Sequence, residues 1–189
     1  MKLHELIKRK FEIDFSTLEK LTDNKKQKLI EANTLDFISR YNLKGDESIN
    51  DIKLLIEDKR LPINKKYPIL SLVGELNLHS LEETVLNVLN STINKFDAES
   101  SYLIEYCLYP LKNIGSEKSF DFLLIHFELI ISKFQNFANF DILIKVYLET
   151  IITISFKLST DKTELLKKKI PKLQLNIVKI KSYLIQKLE

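Results

Sequence analysis

"LKNIGSEKSFDFLL", residues 111–124, holds Gly115, one of only three glycines in the 189-residue chain. Apolar residues recur at helical spacing on both sides of it: Leu111 and Ile114 before, Phe120, Leu123 and Leu124 after. Glycine inside a helix costs ~1 kcal/mol relative to alanine, so a chain this sparing with glycine has a local reason to place one here. Set "VGELNLHSLEETVLNVL" (73–89) above "LKNIGSEKSFDFLLIHF" (111–127), a shift of 38 residues. Val73 then meets Leu111, Leu76 meets Ile114, Val85 meets Leu123, Leu86 meets Leu124 and Leu89 meets Phe127. Asn77 falls opposite Gly115. Both residue types tolerate the left-handed backbone angles that a helix adopts where it stops. The alignment predicts helix, sharp left-handed corner, helix, repeating at the period of helical-pair units.

The stretch Leu111-Lys-Asn-Ile-Gly115-Ser-Glu-Lys-Ser119, followed by Leu123-Leu124, resembles the HEAT and HEAT-like repeat pattern. That pattern has an apolar residue, a turn glycine, an Asp after it, a small residue four positions on, and paired leucines. Ser116 stands in the Asp place and Ser119 in the small one; in the earlier unit Asn77 replaces the glycine and Leu81 the small residue. The resemblance covers residues 65–135. It implies an all-α chain folded as a short α-solenoid of antiparallel helix pairs, each hiding apolar surface that its neighbour completes. An irregular multi-helix bundle is the alternative. One domain over 1–189 is expected, with pairs near 24–59 (Gly45 in the turn), 66–95, 98–135 and 139–188 ("STDKT" in the turn).

Composition agrees with helices. The chain is 44% hydrophobic and 29% charged, with four prolines beside its three glycines, too few of either for a turn-rich sandwich or barrel. Periodicity places helices near 2–10, 16–21, 24–42, 48–59, 66–77, 80–95, 98–114, 117–135, 139–158 and 162–188. Ser16–Glu19 and Ser80–Glu83 match the capping box, and Ser48–Asp51 is a weaker version. Asp97 and Asp161 are candidate N-caps. Pro68 suits a first helical turn, whereas Pro110 and Pro171 are expected to kink or split their helices. The last segment carries an apolar stripe of Leu173, Ile177, Ile180, Leu184 and Leu188.

No apolar run reaches 18 residues, and "ILIKVYLETIITISF" (142–156) is interrupted by Lys145 and Glu149, so a membrane span is not expected. The start "MKLHELIKRKFEID" lacks an apolar signal region, which makes the cytoplasm the expected location. Cys107 stands alone, so neither a disulfide nor a multi-cysteine metal site is expected. His4, His79 and His126 have no partners at metal-ligand spacing, and no glycine-rich phosphate loop exists. No cofactor and no catalysis are expected. Some HEAT-like proteins are glycosylases of alkylated DNA bases; that activity implies a tryptophan at the lesion, and this chain has none.

Charge is the remaining guide. Residues 67–160 carry 6 basic against 11 acidic side chains, while 161–189 carry 8 against 3. In HEAT-like pairs the second helices line the concave side, which makes Glu82, Glu83, Asn87, Asp121 and Glu128 the candidate partner-binding set. Their sign suggests a basic protein partner, and opposite charge speeds encounter and rejects wrong partners. A small inhibitor, such as an immunity protein against a cationic toxin, would fit. The alternative is nucleic acid on Lys167, Lys168, Lys169, Lys172 and Lys179, although only three arginines occur in the chain. Self-assembly through an exposed repeat end is a third reading.

Overall fold

The computed structural model describes residues 46–95 and 97–169. Its regular elements are α1 (Asp46–Glu57), α2 (Ile63–Glu75), a 3-10 turn (His79–Leu81), α3 (Glu82–Ile93), α4 (Ala98–Ile114), α5 (Glu117–Phe134), α6 (Phe140–Leu158) and α7 (Thr160–Lys169). Among the described residues there is no strand, and this part of the chain is all-α. The helices expected at 98–114, 117–135 and 139–158 agree to within a residue. Those expected at 2–10, 16–21 and 24–42 lie outside the described residues, as do the Ser16 capping box, Gly45, Pro171 and the stripe after 169.

Helix starts follow the chemistry of unpaired N–H groups, though not always at the expected residue. Asp97 caps α4 by accepting from the Ser100 N–H at 2.6 Å. Ser116 caps α5, its Oγ accepting from the Lys118 N–H at 3.2 Å. Ser80 does not cap α3: it sits in the 3-10 turn, and the N-cap is Leu81 with no side-chain bond. Asp161 lies inside the first turn of α7, and Ser48 lies inside α1. Pro68 is interior to α2, which begins at Ile63 behind Pro62, and α4 continues through Pro110 to Ile114.

The two aligned corners turn out to differ. Asn77 has φ 51°, and the Leu78 N–H reaches Val73 O at 3.0 Å while the Asn77 N–H reaches Gly74 O at 3.2 Å. This is a Schellman end, closed by the buried pair Val73 and Leu78. It uses three more residues than the sequence alignment allows, which pushes the start of α3 past Ser80. Gly115 is not left-handed; it is extended, with φ −64° and ψ 131°. Glycine is required there for space. A Cβ would lie 2.5 Å from Leu111 O and 2.6 Å from Ile154 Cδ1. Gly74 permits a similar approach, since its Cβ would lie 2.9 Å from Pro110 Cα.

Helices α2, α4 and α6 pack side by side in one row. Helices α1 and α3 pack against each other, as do α3 and α5, in a second row. The rows join where α1 meets α2, α3 meets α4, and α5 and α7 meet α6. The close pairs are therefore 46–75, 82–114 and 117–158, offset by one helix from the expected 66–95 and 98–135. The physical reason is the extended corner at Gly115, which carries α5 away from α4 and onto α6. Neighbours within a row touch at sequence separations of 34 to 45 residues; for example, Asn113 Nδ2 donates to Gly74 O at 3.0 Å, Thr150 Oγ1 to Leu108 O at 3.4 Å, Lys133 Nζ to Ile93 O at 3.3 Å, and Lys157 Nζ to Asn113 O at 2.9 Å.

Between the rows lies one apolar core that includes Val73, Leu89, Leu111, Phe120, Leu123 and Ile151. Tyr147 is fully buried and donates to Leu123 O at 2.9 Å, and burial pushes its phenol pKa well up. Cys107 fills core space, where burial raises its thiol pKa to about 12. Helix C-termini, which leave carbonyls unpaired, are met by cations from elsewhere: Lys66 on Ile56 O at 2.6 Å, Lys133 on Ile93 O, and Lys157 on the end of α4.

Candidate partner-binding surface

Helix α5 has two faces set by its spacing. Phe120, Leu123, Phe127, Ile130 and Phe134 recur every three or four residues and are buried. Asp121, Ile125, Glu128, Leu129 and Ser132 follow the same spacing on the other side and are exposed. Ile125 stands out at 75% exposure, with Leu129 at 36%. Between the faces, His126 stacks on Phe122 with ring centroids 4.2 Å apart and donates from Nδ1 to Phe122 O at 2.8 Å. It is a half-buried helix residue bonded to its own turn. His79, exposed in the 3-10 turn, donates from Nδ1 to Ile114 O at 3.2 Å.

The carboxylates expected on this side have different occupations. Glu82 Oε1 accepts from the Ser116 N–H at 2.8 Å, from Ser116 Oγ at 2.7 Å and from Ser119 Oγ. It thus closes the N-terminus of a neighbouring helix, a task that a sequence reading of its own helix does not reveal. Burial pushes its pKa up, but the hydrogen bonds from Ser119 and Ser116 outweigh that and hold it below the usual carboxylate value. Glu83 pairs with Lys118. Asp121 pairs with Lys162 at 3.0 Å, and the same ammonium meets Glu117 at 2.9 Å and lies over the Phe120 ring. Glu128 makes no ion pair among the described residues and is exposed.

So Glu82, Glu83 and Asp121 gather around the start of α5, and Glu128 lies two turns further along it. Asn87 lies one turn after Glu83 on the same exposed face of α3. It lines a cleft against the end of α1, whose walls include no residue of α5. Of the lysines, Lys167 pairs with Glu164 at 2.9 Å and Lys168 is exposed. The side chain of Lys169 and the whole of Lys172 and Lys179 lie outside the described residues.

No family model, curated protein or solved structure matches the chain. Among the described residues, no group of three or more His, Cys, Asp or Glu side chains is placed to hold a metal ion. No described helix is long and apolar enough to cross a membrane.

Two buried polar features escape the sequence. Glu105, only 8% exposed, accepts from Tyr109 Oη at 3.2 Å and from Asn139 Nδ2 at 3.4 Å, while Ser101 Oγ donates to Asn139 Oδ1 at 2.7 Å. This network ties α4 to the start of α6 next to the ring contact of Tyr67 with Tyr109. Lys66 is the other, at 6% exposure. Neither carries a motif, because each is defined by what a distant helix brings to it.

Proposed function

We propose that the chain is a non-catalytic binding module, built of HEAT-like helix pairs, that captures a basic protein on the outer face of α5. A small inhibitor of a cationic protein, in the manner of an immunity protein, is the form this would take. The repeat reading is supported by the row contacts that recur about 40 residues apart in sequence. The surface reading rests on one observation: Ile125, 75% exposed, sits on a helix face between Asp121 and Glu128. An aliphatic anchor rimmed by carboxylates suits a partner that offers an apolar residue beside lysine or arginine.

Glu82 and Glu83 belong to this proposal less than Glu128 does, because Glu82 is engaged in holding α5 and Glu83 is paired with Lys118. The test is cross-linked capture with wild-type bait and with I125S/E128K bait, followed by titration of whatever the wild type retains. Both positions are exposed, so folding is expected to be unaffected. The expected result is a basic partner whose Kd rises at least tenfold on the double variant. Equal capture by both baits, or an acidic partner, would overturn it. A nucleic acid in the wild-type eluate would point to the lysines instead.

A further inference from the structure

A cleft of about 500 Å³ opens between the end of α1, the start of α2 and the sides of α3 and α4. Ile56, Leu61, Ile63, Val88 and Leu103 supply apolar walls, and Lys66 lines it with Lys59, Arg60 and Lys95. The volume falls in the range of small-molecule sites.

Lys66 is the unusual member. A lysine is almost never buried without a counter-charge, yet this one is 6% exposed and in no ion pair among the described residues. Its ammonium has three N–H donors, and one is used, on Ile56 O at 2.6 Å. The carbonyl end of α1 offers partial negative charge, and Asp58 adds a longer-range attraction; together they explain why the ammonium is tolerated. Neither uses the other two donors.

The rim repeats the sign. Lys59 and Lys95 are exposed and make no ion pair among the described residues, whereas Arg60 is held by Asp58 at 3.1 Å. Glu57 and Glu99 also line the cleft and oppose an anion, but both are exposed, where solvent and salt screen them, while the buried ammonium is screened little. With Arg60 matched by Asp58, three cations against two carboxylates leave the lining positive.

We propose that this cleft binds a small monocarboxylate with an apolar body, its carboxylate taking the two N–H donors of Lys66 that no described residue engages and its tail lying on Leu61, Val88 and Leu103. A carboxylate answers the ammonium with charge-assisted bonds, and the aliphatic walls favour a hydrocarbon tail over water. Burial lowers the Lys66 pKa, and a bound anion would raise it again. This site is separate from the α5 face, so it stands or falls independently of the partner proposal.

Hexanoate, hexanamide and inorganic phosphate are the probes, titrated into the isotopically labelled full chain while backbone and lysine side-chain NMR signals are followed. Hexanoate is expected to shift Lys66, Ser91 and Leu103 saturably, with Kd on the order of 1 mM for so small a ligand. Hexanamide, the uncharged isostere, and phosphate, the charge without a tail, should each bind at least tenfold more weakly. Changing Lys66 itself removes the cap on α1 and risks the fold, so the variants are K95M, expected to weaken hexanoate a few-fold, and E99Q, expected to strengthen it. Absence of saturable shifts, equal binding of the amide or of phosphate, or shifts centred elsewhere would each overturn the proposal.

Discussion

Replacing Glu82 by Ala removes one carboxylate and strands three donors. The Ser116 N–H and hydroxyl lie in a half-buried turn, where water can replace the lost acceptor at small cost. Ser119 is wholly buried, so its hydroxyl loses its bond to Glu82 with no water to take over, which costs roughly 1–3 kcal/mol. Adding the weaker loss at Ser116 and the lost charge at the start of α5 gives about 3 kcal/mol. For a chain of this length that lowers Tm by roughly 6–12 °C. Glu82→Gln keeps an acceptor and should cost about half as much. The sign with pH follows from a carboxylate whose folded pKa is depressed. Its stabilisation is complete above the ordinary carboxylate value and is lost as pH falls through the folded one. The gap in stability between wild type and Glu82→Gln should therefore be widest at neutral pH and close in acid. Circular dichroism melts from pH 7 down to pH 3, with a double-mutant cycle against Ser119→Ala, measure both. A coupling of ~1–2 kcal/mol is expected. A Glu82→Ala melt within about 1 °C of wild type, or strictly additive variants, would refute the reasoning.

Gly115→Ala should destabilise by ~3 kcal/mol in urea melts, although φ −64° suits alanine, because Leu111 O cannot retreat; unchanged stability would contradict the close approach. Gly74→Ala, with a gentler contact on Pro110, should cost ~1–2 kcal/mol. Cys107, buried with its thiol pKa raised to about 12, should resist a thiol-specific disulfide reagent at pH 8 until denaturant is added, and rapid labelling of native protein would show the core wrongly placed.

Much of the fold was legible in the residues, for local reasons. Apolar spacing located α4, α5 and α6, Asp97 announced its cap, and Asn77 signalled a left-handed stop. These properties belong to short stretches of chain. Gly115 was misread because glycine serves two purposes, and spacing alone does not tell backbone freedom from the need for room beside Ile154. The candidate site was less legible. Glu82 looks like a dipole-matched helix start or a surface acid, and only the arrival of Ser116 and Ser119 makes it a cap. Glu83 and Asp121 looked like a free acidic face, but Lys118 and Lys162 come from other turns to meet them. Ile125 hides among the other apolar residues of its helix until burial separates the two faces of α5. Lys66 reads as a surface lysine because the end of α1 that covers it is specified elsewhere.

The stacking of α2, α4 and α6 in one row is the backbone of the arrangement described above. A carbon-edited NOESY spectrum of the labelled protein tests it directly, through the Gly115 Hα protons and the Ile154 δ-methyl. A strong cross-peak is predicted between them, with a second between Gly74 and Pro110 Hα. Assigned, well-resolved signals with neither cross-peak would contradict it.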